Sequence, residues 1–231
     1  MDKYVVILAC GKGSRMGTEI PKQYLLLDNK PVIFHTIERI SQFDKNYKII
    51  VVINKEHADL FSDLSKKYAL SVPFLLVFGG DERYFSVKNA LDVITNINSL
   101  VAIHDGVRPF ADKEMFSRCF NEAERYGNAV CAMKATDSIR KGTENLNTAL
   151  KRDEIFFVQT PQTFRTENIK KAYLQPFDSK FTDDASVVEN MGEPIHITKG
   201  KRENIKITYP FDLVIAEKVL ENIHSKTYTN I

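Results

Sequence analysis

The chain has 231 residues, 43% of them hydrophobic and 27% charged, with a formal net charge of +2. That length suits one large α/β domain spanning 1–231, able to bury roughly three quarters of the surface its unfolded chain would expose. The near-balanced charge excludes a broad pull toward nucleic acid or an acidic membrane, so neither is an expected partner and any anion site must rest on local basic clusters.

Tyr4 to Cys10 is a short apolar run ending in glycine and reads as a buried strand. It leads into a glycine loop and not a cleavage site, so no signal peptide is expected, and no stretch is long and apolar enough to span a bilayer. Pro31 to Ile40 follows as a helix with proline in its first turn. Tyr47 to Ile53 is rich in β-branched residues and reads as a second strand, followed by a helix over Ala58 to Tyr68. Pro73 to Phe78 is a third strand and Ser86 to Ile94 a helix. Leu100 to Ile103 is a fourth strand, Lys113 to Tyr126 a helix stopped by Gly127, and Ala129 to Met133 a fifth strand. This alternation predicts a mostly parallel twisted sheet with helices on both faces. The rhythm breaks over Thr136 to Asp153, a polar segment with a turn signal at Lys141-Gly142-Thr143, readable as a projecting hairpin arm or as a solvated loop. Ile155 to Val158 resumes the pattern, and a helix at Asp184 to Asn190, a strand at Ile195 to Thr198 and a last helix from Pro210 to Ile223 complete it. Cys10, Cys119 and Cys131 are odd in number and lack paired spacing, so no disulfide framework or zinc site is indicated and a reducing cytoplasm is the expected setting.

Chemistry concentrates at the strand ends, where an open parallel sheet binds its ligands. After the first strand come Gly11, Gly13 and Gly17, interleaved with Lys12 and Arg15 and followed by Pro21-Lys22-Gln23. Glycines let the backbone approach an anion and aim N–H groups at it, so the simplest ligand is a polyphosphate; a glycine-rich turn of no special function is the alternative. A Walker-type phosphate loop fails because Gly11-Lys12 is followed by Gly13, and a dinucleotide fingerprint fails because Met16 holds the third glycine position. Asp105, at the end of the fourth strand, either caps the following turn or holds Mg²⁺, which favours one or two carboxylates together with phosphate oxygens and water. Arg108 stands close by, suited to a bidentate phosphate contact. His104 is expected to pack or orient that loop. Gly79-Gly80-Asp81-Glu82-Arg83 follows the third strand, and Ser86 can open the next helix, read a base edge, or both. Lys206 sits in a polar-apolar alternation before the last helix and by itself reads as a solvated side chain, and Thr182-Asp183-Asp184 reads as a helix N-terminus.

Six motifs, LACGKGSRMG with PKQ, GGDERYFSV, HDGVRP, QTPQTF, TDDAS and GKRENIKIT, resemble those of the 2-C-methyl-D-erythritol 4-phosphate cytidylyltransferases in kind and order, from Val5 to Ala216. The resemblance implies a Rossmann-like nucleotidyltransferase fold carrying a β-arm, and transfer of CMP from CTP to a polyol phosphate with release of pyrophosphate. It implies that Arg15 and Lys22 stabilise the transition state, that Ala9, Cys10, Gly11 and Gly13 wrap the triphosphate and ribose, and that Gly80, Asp81 and Ser86 read cytosine. Asp105 would bind Mg²⁺, while Arg108, Thr182 and Lys206 would hold the polyol phosphate. It also implies a homodimer in which the arm at 136–153 completes the partner's site through Arg152, with Ser138 and Thr160 as neighbours. Cytidylyltransferases acting on ribitol 5-phosphate share much of this pattern, and a non-catalytic nucleotide-binding protein on the same fold is the remoter alternative. The chain departs from the pattern at Cys10, where Ala or Gly is usual, at Gly106-Val107, where Ala-Ala is commoner, and at Glu203, where some members carry aspartate near the metal.

Overall fold

The computed structural model describes residues 1–11, 13, 16–17 and 20–228, without the side chains of 224 and 226–228. The chain folds around a seven-stranded sheet built from β1 (Asp2–Ala9), β4 (Lys48–Ile53), β5 (Leu75–Phe78), β6 (Ser99–Asp105), β7 (Asn128–Lys134), β10 (Phe156–Arg165) and β11 (Ile197–Lys199), in the order β11-β7-β10-β6-β1-β4-β5. Two small two-stranded ladders lie outside it: β2 (Leu26–Leu27) with β3 (Lys30–Pro31), and β8 (Arg140–Gly142) with β9 (Asn147–Ala149).

The central strands are nearly continuous apolar runs because both faces are covered. Val5, Val6 and Ile7 of β1 and Val51, Val52 and Ile53 of β4 have no solvent exposure. On one face lie α1 (Val32–Ser41), α2 (Ala58–Lys67) and α4 (Lys113–Tyr126), whose Phe34, Phe61, Phe116 and Phe120 pack on alternate residues of β1, β4 and β6. Phe34 and Phe61 meet edge to face at 5.8 Å, the geometry the ring quadrupoles favour. The other face is covered by α3 (Arg83–Asp92), α5 (Thr166–Ala172) and α6 (Asp184–Glu189). The last helix, α7 (Pro210–Tyr228), packs with Leu27, Val107 and Ile207 in a smaller satellite core. Helix ends follow local chemistry: the Asp112 side chain accepts from Met115 N at 2.8 Å to start α4, and Gly127, at φ +91°, ends it.

The sheet is parallel except for β10, which runs antiparallel to both β6 and β7. The expected Ile155–Val158 strand is thus the first part of a longer element, whose register shifts between Val158 and Gln162, where Pro161 cannot donate to the ladder. The expected break at Thr136 to Asp153 is an antiparallel hairpin, as one of the two sequence readings has it. Its turn lies one step beyond the signal, with Thr143 N donating to Leu146 O at 2.8 Å. The last strand begins at Ile197, two residues later than expected.

Crossovers run from β1 outward through β4 to β5, then return to place β6 on the other side of β1. The order reverses there, which opens a crevice at the carboxyl ends of β1 and β6. Leu8 stands directly opposite Asp105 in that register.

Candidate active site

A cavity of about 760 Å³ fills this crevice, within the size range of small-molecule sites. Four strand ends supply its walls: the glycine loop and Lys22 after β1, Asn54 to Glu56 after β4, Gly79 to Arg83 after β5, and Asp105 with Val107 after β6. Lys206 and Thr208 close one side from the segment before α7.

The glycine loop is held by Gln23, a fully buried amide that donates to Ala9 O at 2.8 Å and to Gly11 O at 3.2 Å. Gly13 adopts φ +67°, and a Cβ there would come within 3.2 Å of Lys22 N, so glycine is what lets the loop lie against the helical turn Lys22–Tyr24. Arg15 and Lys12 lie outside the described residues. Cys10 lies beside Gly79, which makes room for it: a Cβ on Gly79 would sit 2.8 Å from Cys10 Cβ and 2.7 Å from Ser86 Oγ. Burial pushes the Cys10 thiol above its ordinary pKa, so it stays protonated.

Ser86 does not open its helix. α3 begins at Arg83 after Glu82, and Ser86 lies a turn inside, buried, with its Oγ accepting from Gly80 N at 3.1 Å and donating to Glu82 O at 3.1 Å. It therefore folds the Gly80–Asp81 loop onto the cavity wall, and Asp81 lines the same wall.

Asp105 ends β6, and its backbone is clamped from below. Asp105 N donates to Thr160 Oγ1 at 3.0 Å, and Thr160 Oγ1 meets His104 Nδ1 at 3.1 Å. His104 Nε2 lies 3.0 Å from Arg108 O. A carbonyl only accepts, so the Nε2 proton points to Arg108 and Nδ1 accepts from the Thr160 hydroxyl, which leaves that oxygen to accept from Asp105 N. Burial pushes the His104 pKa down to about 4, and the neutral imidazole this requires is the one the network fits. His104 thus orients the loop, as expected from the sequence.

The Asp105 carboxylate meets two cations on the same oxygen: Lys206 Nζ at 3.0 Å and Arg108 Nε at 3.2 Å from Oδ2. Burial alone would raise its pKa, but the charges of Lys206, Arg108 and Arg83 outweigh burial and hold the carboxyl ionised well below the usual range. Lys206 and Arg108 both meet Oδ2, so a magnesium ion would have to use the other carboxylate oxygen of Asp105. The described residues hold no cluster of three or more His, Cys, Asp or Glu, so a cation here would take one carboxylate and complete its shell from phosphate oxygens and water. Glu203 is exposed and outside the cavity lining, so it adds no second carboxylate.

The structure separates the expected acceptor residues. Lys206 lines the cavity. Arg108 is 8% exposed and turned inward, its Nε on Asp105 and its Nη1 donating to Asn204 O at 2.8 Å, so these donors buttress Asp105. Thr160 is likewise buried beneath Asp105. Thr182 is exposed just ahead of α6 and does not line the cavity. Ser138 and Arg152 are exposed on the arm, where Arg152 Nη1 donates to Thr136 O at 3.2 Å.

Three contributors escaped the sequence reading. Gln23 was visible within the PKQ motif, but its grip on Ala9 is a contact across 14 positions. Asn54 to Glu56 follow a strand end and were legible by the logic applied to Asp105. Arg83 lines the cavity while its guanidinium forks onto Asp184, 101 positions away, at 2.9 and 2.5 Å.

Residues 4–222 match the family model of 2-C-methyl-D-erythritol 4-phosphate cytidylyltransferase. The protein of that name from Bacteroides thetaiotaomicron is 43% identical over 220 residues, covering 95% of this chain and 100% of the relative, and that from Phocaeicola vulgatus is 40% identical over the same length, with the same shares covered. The crystal structure of 4-diphosphocytidyl-2C-methyl-D-erythritol synthase from Anaerococcus prevotii superposes with a TM-score of 0.80 at 28% identity, covering 95% of this chain and 96% of that one. On the strength of the shared motifs, fold and near-complete coverage, this chain belongs to the 2-C-methyl-D-erythritol 4-phosphate cytidylyltransferase family.

Proposed function

We propose that this chain transfers a cytidylyl group from CTP to 2-C-methyl-D-erythritol 4-phosphate, giving 4-diphosphocytidyl-2-C-methyl-D-erythritol and pyrophosphate, a step of non-mevalonate isoprenoid precursor synthesis. One observation carries it: the glycine loop with Lys22, the Gly80–Ser86 loop and Asp105 with Lys206 line one cavity at the carboxyl edge of the sheet, in a chain of this family.

In this reading Gly80, Asp81 and Ser86 read the cytosine, and Ala9, Cys10, Gly11 and Gly13 wrap the ribose and triphosphate. An oxygen of the acceptor phosphate attacks the α-phosphorus in line, a new P–O bond forms, and the bond to the pyrophosphate oxygen breaks. A phosphate monoester is already anionic near neutral pH, so no strong general base is needed. Catalysis then rests on positioning and charge. Lys22, with Arg15, offsets charge gathering on the α-phosphate and leaving group. Asp105 would hold the Mg²⁺, which supplies charge neutralisation to the phosphates. Lys206, which lines the cavity, holds the acceptor phosphate, with Arg108 and Thr160 acting from beneath to fix Asp105.

The reading includes a homodimer. Leu146 on the arm is 81% exposed, and Phe156, Phe157 and Val158 at the start of β10 are 39%, 51% and 42% exposed, an apolar stripe suited to a second copy of the chain. Arg152 and Ser138 would then reach the partner's acceptor site. A cytoplasmic setting suits the three free cysteines, and among the described residues no helix is long and apolar enough to cross a membrane.

Pyrophosphate release from CTP and Mg²⁺, measured side by side with methylerythritol phosphate and ribitol 5-phosphate, tests the assignment. Preference for methylerythritol phosphate is expected. Preference for ribitol phosphate would move the enzyme to the neighbouring specificity, and no release with any polyol phosphate would contradict catalysis.

A further inference from the structure

Arg83 and Asp184 form an ion pair between distant elements of the cleft, with the carboxylate side chain fully buried and that of Arg83 32% exposed. Arg83 opens α3 directly after the Gly79–Glu82 loop and lines the cavity. Asp184 is the first residue of α6, has no solvent exposure and does not line the cavity. Two parallel N–H···O bonds of 2.9 and 2.5 Å join the guanidinium to the carboxylate, a geometry only arginine supplies. Tyr173 Oη adds a third donor to Asp184 Oδ1 at 2.6 Å, and its ring stacks on Tyr84 with centroids 4.7 Å apart.

The α6 end of this pair is itself anchored to the Asp105 side of the cleft. Gln162 of β10 donates to Asp183 Oδ2 at 2.8 Å and accepts from Ala185 N at 2.9 Å. Two residues earlier in the same strand, Thr160 carries the backbone of Asp105. A continuous path therefore runs from the pyrimidine loop through Arg83, Asp184 and Gln162 to the strand beneath Asp105. A buried pair of this kind contributes little net stability over apolar packing, yet breaking it leaves an uncompensated charge, so it is suited to fixing a geometry.

We propose that the Arg83–Asp184 pair is a strut that sets the spacing between the pyrimidine loop and the acceptor side of the cleft, making both residues positioning residues for both substrates. This rests on the function proposed above for the identity of the two substrates. The test is Asp184→Asn, which keeps the side-chain volume and removes the charge at a residue outside the cavity. CTP affinity is measured by calorimetry without acceptor, acceptor KM and kcat by pyrophosphate release at saturating CTP, and folding by circular dichroism with assays run well below Tm.

The expected result is an increase of about tenfold in both the CTP Kd and the acceptor KM, with a smaller change in kcat. Arg83→Lys, which keeps the cation and loses the fork, is expected to follow the same pattern. A folded Asp184→Asn protein with unchanged CTP Kd would overturn the strut, as would a CTP defect with normal acceptor KM, since the pair would then serve the pyrimidine loop alone. A purely stabilising role would lower Tm and leave both constants in place. If Asp184→Asn does not fold, Tyr173→Phe removes one donor from the same carboxylate; smaller shifts in both constants support the strut, and none in either overturns it. Calorimetry with CTP needs no turnover, so failure of the wild-type protein to use methylerythritol phosphate would count against the proposed reaction and leave the nucleotide half of this test intact.

Discussion

The Asp105 edge and the β8–β9 arm both carry residues expected to meet the acceptor, yet they are built in opposite ways. Beneath Asp105 the supports are buried: Thr160, His104, Arg108 and Asn204 are at most 8% exposed, and they fix the backbone of the carboxylate from within the fold. The arm is a three-residue ladder with exposed faces, and Ser138 and Arg152 have no place in the cavity of their own chain. The core holds in place the charge that must be preorganised, whereas the arm groups lack that support and would gain it only in the dimer proposed above.

The comparison predicts its largest effects on the cavity side. Lys22→Ala or Asp105→Asn is expected to lower kcat at least a hundredfold, a barrier increase of about 3 kcal/mol, in a protein of normal circular dichroism. Near-normal turnover of either variant would remove that residue from the charge-neutralising set.

Burial on the Asp105 side also predicts a pH signature. His104 has a folded pKa of about 4 against an ordinary value of 6.5, so the unfolded chain takes up its proton first. Its contribution to stability is complete above pH 6.5 and disappears as pH falls toward 4, a loss on the order of 3 kcal/mol. Chemical denaturation between pH 7 and 4 should show this slope, and His104→Gln should flatten it. An unchanged slope in the variant would mean that other groups set the acid sensitivity. Asp105 works in the same direction but only below its ordinary value of 3.8, outside that window.

On the arm side, Phe157→Glu places a charge in the exposed apolar stripe without entering the core. Sedimentation should show dimers replaced by monomers, with kcat/KM for the acceptor reduced about tenfold. A monomeric variant of full activity would break the shared-site account. The smallest effect is the most specific. Arg152→Ala and Lys22→Ala subunits, mixed and reassorted, should recover roughly a quarter of wild-type activity, because half the dimers are mixed and each then holds one complete site. No recovery would place the role of Arg152 within its own subunit.

The same contrast explains what could be read from the sequence. Strand ends were legible because buried parallel strands are continuous apolar runs, so Asp105, the glycine loop and Gly79–Arg83 fell on one edge without knowledge of any contact. The direction of β10 was not legible, because Pro161 splits its pattern and pairing direction is set by distant strands. Nor was the inward turn of Arg108: its partners Asp105 and Asn204 are settled by how two loops pack, and a guanidinium facing a phosphate and one facing a carboxylate look alike in sequence. Arg83 was visible only as part of a polar loop, since nothing local marks Asp184 as its partner.

The central claim is that Asp105 holds a divalent cation beside the triphosphate of a nucleotide seated between Lys22 and the Gly80–Ser86 loop. Crystals grown with CTP and Mn²⁺, examined at a wavelength where manganese scatters anomalously, test it directly. The account predicts an anomalous peak in coordination contact with the Asp105 carboxylate and with phosphate oxygens, and cytosine against Gly80 and Ser86. A nucleotide bound with its metal away from Asp105, or with its base outside that loop, would contradict it.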